Sequence, residues 1–458
     1  MKEFNETYDR NDGDIVNYRH EAARPVVYDD LDPFGHEENH QIKYKTLSWQ
    51  LVSVLMIAEI VSNGMLSLPS SLAVVGLVPG LVLIVFLGVF ATYTSHLLVR
   101  FKLRHPEVHS MGDAGQILFG RAGRELLALG TVVFAVLATG GQLLAGQLAL
   151  AALGGGPGNL CLVLYTAIFA APVLLCSLPR TMGQLSWLCV PSVLSILVAG
   201  VVGMVGAGET GRQADVDVVV DVVVGSDFYT AFIAITNPVF AYAGHFMFFI
   251  LMSEMRRPQD AMKAAYALQG FATTFYAVFA AVCYVYLGPG VASPAFGSLG
   301  PGWAKAAYGI AIPNFLLAGS LYAHTAAKLL FVRLFRKSRH LHSHTVKGWA
   351  TWVALVVLMN ALAFVLAVGV PIFNYLIGIA ASLFAAWYTY GIAGAFWLHD
   401  EYHDHDGWKQ WARKWCQALV AMLTFAAGGF ICVAGTYVTV KGIVEAYDSG
   451  AVGKPFSC

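Results

Sequence analysis

Apolar residues run through this chain in long unbroken stretches rather than in alternation. Eleven stretches, at about 47–75, 77–101, 125–153, 159–178, 184–207, 228–252, 264–287, 305–332, 347–369, 371–398 and 415–440, are candidates. Each is long enough for a helix to cross a hydrocarbon core of about 30 Å. Lipid offers backbone groups no partners, so spans of this length must be helical, and the lack of period-two alternation argues against a β-barrel. The pattern predicts an all-α polytopic membrane protein with eleven transmembrane helices over 47–440. Residues 1–46 are polar, carry no apolar leader region, and read as a mostly disordered tail ending in a short helix along the membrane. Residues 441–458 form a second short tail.

Composition supports this reading. Of 458 residues, 57% are apolar and only 12% charged, against about 45–50% and about 25% in soluble domains. Lys+Arg and Asp+Glu balance at 28 each, so the chain has no net positive charge with which to bind nucleic acid. The basic residues are nevertheless strongly sided. Six lie in the N-terminal tail, and eighteen more fall in loops or helix ends that an eleven-span count puts on the same side. Among them are Arg100, Lys102, Arg104, Arg121, Arg124, Arg256, Arg257 and the run Arg333–Arg339. Only Arg212, Lys305, Lys441 and Lys454 fall opposite. The excess predicts a cytoplasmic N-terminus and an extracytoplasmic C-terminus. The acidic outer loop 208–227 reads as solvated, and the seven scattered cysteines read as packing residues rather than a disulfide framework or metal site. Asn5 begins a glycosylation sequon on the predicted cytoplasmic side, where it would stay unmodified.

Two spans carry helix-breaking sequence at mid-depth. In the first, Ser62-Asn63-Gly64 places weak helix formers ahead of Pro69; in the sixth, Asn237-Pro238 is followed by Gly244. One such flaw is common in membrane helices. Two flaws five spans apart are the mark of a secondary transporter whose site lies between discontinuous helices.

The residues around these flaws resemble a known family. Asn63-Gly64-Met65-Leu66-Ser67-Leu68-Pro69 resembles the G-[IM]-L-x-L-P element of the amino acid/auxin permease family, part of the amino acid–polyamine–organocation superfamily. Phe240-Ala241-Tyr242-Ala243-Gly244-His245 is similar to its F-[AS]-[FY]-x-G-H element, and Ser253-Glu254-Met255-Arg256-Arg257-Pro258 to its E-M-[KR]-x-P turn. Met111-Gly112-Asp113-Ala114-Gly115-Gln116-Ile117-Leu118-Phe119-Gly120 resembles the small-residue loop after helix 2. Ala58-Glu59 looks most like fungal neutral amino acid permeases. The resemblance covers about residues 45–440. It implies a LeuT-like fold with a five-plus-five inverted repeat, helices 1–5 at 47–207 and 6–10 at 228–398, and an eleventh helix at 415–440. It further implies symport of neutral amino acids by a monomer in the plasma membrane, with the vacuolar membrane as the alternative location, and no cofactor.

An amino acid zwitterion presents a carboxylate, an ammonium and a side chain. Unwinding at Ser62, Asn63, Gly64 and Met65 would aim backbone N–H groups and a helix N-terminus at the carboxylate. Carbonyls from Phe240, Ala241, Tyr242 and Ala243 would take the ammonium, with the two aromatic rings walling off the side chain. Glu59 lies about 12 residues into the first span, ~18 Å along its axis and too deep for a short carboxylate to reach water. Intramembrane carboxylates are costly and usually functional. Glu59 could carry a coupling proton, hold the substrate ammonium, pair with His245, or sit neutral in the bundle. Lys328 lies about 7.5 Å before Arg333; it either snorkels out or, by the fold resemblance, stands where sodium-coupled relatives hold a cation. Ser320 and Thr325 are the hydroxyls that would ligate sodium instead, and His324 is a candidate proton shuttle. These residues favour proton coupling, with sodium as the alternative. Glu125 reads as an interfacial ion pair with its neighbouring arginines, and Gln142 and Gln147 as substrate contacts or interhelical glue.

Three rival readings compete with a transporter. The tract His399–Asp406 contains an acyltransferase-like H-x₄-D spacing, which a solvated loop so dense in His and Asp produces by chance. No G-x-S-x-G element occurs in the sequence, and the one H-E-x-x-H spacing, at residues 36–40, falls in the tail read as mostly disordered, which argues against an enzyme. A channel lacks a filter-like repeat. A nutrient sensor on the same fold would share the site, and only substrate movement separates it from a carrier.

Overall fold

The computed structural model describes residues 32–449 except 36, 38–39, 156–159, 214–219, 337, 371 and 404–407. Expectations for the tail before residue 32, for Asn5, Asp215, Asp217 and Lys454, and for residues 404–406 of the His/Asp tract lie outside the described residues. The described residues are almost wholly helical. We number the main helices α1 (Trp49–Ile60), α2 (Asn63–Val75), α3 (Leu77–Arg104), α4 (Met111–Leu153) and α5 (Leu162–Cys176). After these come α6 (Met182–Gln213), α7 (Phe228–Ala241), α8 (Phe248–Ser253) and α9 (Ala261–Leu287). The last four are α10 (Pro301–Phe335), α11 (Val346–Gly369), α12 (Phe373–His403) and α13 (Trp415–Asp448).

Among the described residues nine helices are long and apolar enough to cross a membrane, α7 and α8 counting as one, and the bent pair α1–α2 makes a tenth. The 15-residue α5 is apolar but shorter. Each predicted stretch thus corresponds to a helix or helix pair. The segment expected as a loop at Met111–Phe119 is instead the helical start of α4, turned back at Gly120 (φ 67°). Glycines permit the fold: a Cβ on Gly115 would sit 2.5 Å from the Gly123 carbonyl oxygen.

Burial separates two layers. α4, α10 and the broken α7–α8 are enclosed, whereas α3, α6, α9, α11 and α13 turn most of their surface outward. The enclosed helices carry the polar residues, as expected where lipid cannot satisfy them.

Both predicted breaks exist, but neither falls at a proline. α1 ends at Ile60, and α2 restarts at Asn63 with a 50° change of direction. In the second, α7 continues through Pro238 to Ala241, and Tyr242–Gly244 form the turn. Proline at 238 leaves the Ala234 carbonyl without its helical donor, and the Ser71 hydroxyl from α2 supplies one at 2.8 Å. A polar neighbour thereby keeps this helix intact past its proline.

Three further expectations are corrected. Residues 221–224 do not float as part of a solvated outer loop: Leu77 and Val78 N–H donate to the Asp221 and Val222 carbonyls, and Val224 N–H donates to Val75. Asp400 and Glu401 are buried rather than solvated; Glu401 accepts from Arg100 at 2.7 Å and Lys414 at 2.9 Å. Cys161 is disulfide-bonded, so the cysteines are not all packing residues.

Candidate functional site

The two breaks meet in the middle of the bundle. A Cβ on Gly64 would lie 2.8 Å from the Ala241 Cα, so the start of α2 and the end of α7 touch backbone to backbone. Breaking a helix frees carbonyls, and one side chain gathers them from both. Tyr276 of α9 places its hydroxyl 2.7 Å from the Ile60 carbonyl and 2.8 Å from the Ala241 carbonyl. Sequence reading missed Tyr276, which is one of four tyrosines in its span and carries no local signal that sets it apart.

The remaining walls come from α3, α4, α6 and α10. Gln142 of α4 accepts from the Ser62 hydroxyl at 3.0 Å, and Gln147 accepts from Thr166 of α5 at 2.7 Å. Asn314 of α10 donates to the Ala58 carbonyl at 2.9 Å and to Ser192 of α6. Tyr322 of α10 donates to the Glu59 carbonyl at 3.4 Å. Asn237 of α7 reaches Ser67 and Ser71 of α2. Most backbone and side-chain groups at the breaks are therefore held from a neighbouring helix.

Two residues are not. Both carboxylate oxygens of Glu59 and both amide atoms of Asn63 are buried without a hydrogen-bond partner among the described residues. Glu59 faces the second break: a Cβ on Gly244 would lie 3.9 Å from its Oε2. Asn63 faces α4, where a Cβ on Gly141 would lie 3.3 Å from its Nδ2. A buried polar group left unpaired costs about 1–3 kcal/mol, which makes these two the candidates for contact with a ligand.

The other predicted residues divide by location. Met65, Phe240, Ala241 and Ala243 are buried around the contact between the breaks, with Phe240 6.3 Å from Phe134 of α4. Tyr242 points away from that contact, its hydroxyl donating to the Ile84 carbonyl at 3.0 Å and to Thr273. His245 does not pair with Glu59. Its Nε2 lies 2.9 Å from the Ala91 carbonyl and within hydrogen-bond distance of Ser95 and Thr94, all on α3. Ser320 and Thr325 donate to carbonyls of their own helix, and Ser320 also reaches Val173. His324 packs edge-on against Trp352 at 5.0 Å, both ring nitrogens unpartnered.

Lys328 belongs to a different place. It is 1% exposed, so it does not snorkel, and its Nζ forms an ion pair with Glu254 just beyond α8. The Tyr44 ring lies 4.7 Å from that ammonium. The second Glu254 oxygen accepts from the Met182 N–H opening α6, and the Glu254 carbonyl accepts from Leu47. This cluster closes the bundle at the end that bears the N-terminal segment. Glu125, expected to pair with its own neighbours, pairs with Arg333.

Paired broken helices meeting at a buried, partly unsatisfied polar centre define a membrane transporter of the LeuT-like class. Comparison with known proteins agrees. The family described as transmembrane amino acid transporter protein matches residues 45–441. The chain is 31% identical over 423 residues to a transmembrane transporter of Gibberella moniliformis, covering 91% of this chain and 88% of that protein. It is 30% identical over 427 residues to the N amino acid transport system protein of Neurospora crassa, covering 92% and 90%. The chain therefore belongs to the transmembrane amino acid transporter family, whose members are transporters rather than enzymes. Among solved structures, a Na+-coupled sialic acid symporter in a substrate-bound outward-open state aligns with TM-score 0.55 at 10% identity, covering 88% of this chain and 92% of that one. MhsT in complex with L-phenylalanine aligns with TM-score 0.52 at 14% identity, covering 84% and 100%. At such identities these two speak for the fold alone.

Proposed function

We propose that this protein is a proton-coupled symporter of neutral amino acids, working by alternating access around the meeting point of the two breaks. Eleven transmembrane helices, arranged as a five-plus-five repeat plus one, are part of the reading. The observation that carries it is the pair of orphaned buried groups, Glu59 and Asn63, at that meeting point. The substrate carboxylate would take the N–H groups that open α2 at Ser62, Asn63 and Gly64. The ammonium would take carbonyls of the Phe240–Ala243 stretch, and Asn63 would help position it. Glu59, facing Gly244 with no cation beside it, is suited to exist as a neutral acid until a proton leaves it. Such a group can tie protonation to closure around the substrate.

Sodium coupling is the second reading. Ser320 and Thr325, its proposed ligands, donate their hydroxyl protons to backbone carbonyls of their own helix, which leaves their oxygen lone pairs available to a cation. The cytoplasmic N-terminus follows from the basic residues, and the disulfide at Cys161 supports it, because that residue lies on the opposite side, where oxidising conditions hold. A monomer in the plasma membrane remains the expected setting.

The test is uptake by purified protein in liposomes under separately imposed pH and sodium gradients. Accumulation driven by the pH gradient alone is expected. Accumulation driven only by sodium would overturn the coupling assignment, and binding without counterflow would make the protein a sensor.

A further inference from the structure

A cleft of about 450 Å³ opens on the face that bears the N-terminal segment, outside the transport site. Its walls are Lys43 and Thr46 of that segment, Arg180 and the opening turn of the 32-residue α6, and His344 with Trp349 across from them. Among the described residues no carboxylate lines it, although carboxylates meet most other basic clusters on this face.

Arg180 is 3% exposed and fixed in place. Its terminal nitrogens donate to the His340 and Leu341 carbonyls at 3.0 and 3.2 Å, and its guanidinium lies 4.7 Å from the Phe331 ring centre and 5.2 Å from that of Trp349. Its Nε has no partner. A charged guanidinium held by neutral carbonyls and rings, with one buried N–H unused and no counter-ion among the described residues, is suited to an anion. The cleft supplies further donors. The Trp349 indole donates to His344 Nδ1 at 3.1 Å, which leaves the Nε2 of the neutral ring carrying its proton. The start of α6 adds the positive end of a helix dipole, and exposed Lys43 adds a mobile charge. Trp187, 70% exposed beside it, is a residue type that settles at the membrane–water boundary.

We propose that this cleft binds a phosphate group, from a phospholipid headgroup or from free phosphate. Binding would tie three elements together. The N-terminal segment already crosses here, with Ile42 N–H on the His342 carbonyl and the His344 N–H on Gln41. Tyr44, one residue beyond Lys43, covers the Lys328–Glu254 pair. An occupied cleft would therefore hold that end of the transporter shut.

The test uses full-length protein in phosphatidylcholine nanodiscs and a binding readout independent of transport. One arm titrates short-chain phosphatidic acid, the other inorganic phosphate as ligand and competitor. Saturable phosphatidic acid binding is expected, weakened about tenfold by Lys43→Glu, and lost in part by Arg180→Lys, which keeps the charge but removes Nε. Competition by millimolar phosphate assigns free phosphate as a sufficient ligand; lipid binding untouched by phosphate assigns the headgroup. Lys43→Glu sits on an exposed side chain and leaves folding intact, so equal affinity of wild type and this variant would overturn the proposal. So would failure of the wild type to bind either probe.

Discussion

The middle of the bundle and its N-terminal-side end solve the same problem in opposite ways. Both place ionisable side chains where water does not reach. At the end, several are matched: Lys328 with Glu254, Glu401 with Arg100 and Lys414, and Lys102 with the Pro106 carbonyl. In the middle, Glu59 and Asn63 are left bare, although neighbouring carbonyls are carefully satisfied by Tyr276, Asn314 and Tyr322. A matched buried cluster fixes one arrangement of the chain, and separating it is costly. An unmatched centre instead gains most from a ligand that completes it. Closure at the end and vacancy of partners in the middle suit a carrier that must open the first to load or unload the second.

The comparison can be broken most sharply at the contact between the breaks. Gly64→Leu is expected to reduce uptake to background with surface expression unchanged, because even its Cβ would meet the Ala241 backbone at 2.8 Å. Uptake counts against surface-labelled protein check this, and normal transport would remove Gly64 from the site. Glu59→Gln is expected to abolish the pH dependence of uptake, a loss of about tenfold or more under an imposed gradient, while substrate exchange persists. Unchanged coupling would reject Glu59 as the proton site.

At the matched end, Glu254→Ala strands the Lys328 ammonium and is expected to cost about 3–5 kcal/mol, read from unfolding in detergent. Replacing both, Glu254→Leu with Lys328→Met, should recover most of that loss; no recovery would mean that Glu254 acts mainly through Met182 and Leu47.

The smallest effect concerns His105. Burial disfavours its charge, but hydrogen bonds to Asp400 and Glu107 outweigh burial and push its pKa up to about 9. A raised folded pKa means stability that is fully present below the ordinary value of 6.5 and lost as pH rises through about 9. Thermal unfolding between pH 6.5 and 9.5 should show this decline, and His105→Gln should flatten it. Parallel curves would rule the pairing out.

Much of the site was legible because a membrane exaggerates local signals. Ser62-Asn63-Gly64 could be read as a break since weak helix formers at mid-depth have no solvent to fall back on. Glu59 stood out because charge there is so rare. Lys328 was equally conspicuous but ambiguous, since its partner is 74 residues earlier and spacing alone could not bring Glu254 to it. Tyr242 and His245 sit in a recognisable motif, yet both rings turn toward α3, a rotation that depends on how α3 packs. Proline misled for a similar reason: Pro238 looked like the break, and the distant Ser71 hydroxyl made it harmless.

The sequence by itself determined that this chain crosses a membrane many times, which stretches do so, where two of them falter, and which family it joins. These follow from length, hydropathy and short-range chemistry, all local properties. Tertiary structure alone decided which buried groups are satisfied and which are not. Partnership between helices depends on rotation and close approach over distances of tens to hundreds of residues. That division separates the paired charges at the N-terminal-side end from Glu59, a buried carboxylate without a partner among the described residues.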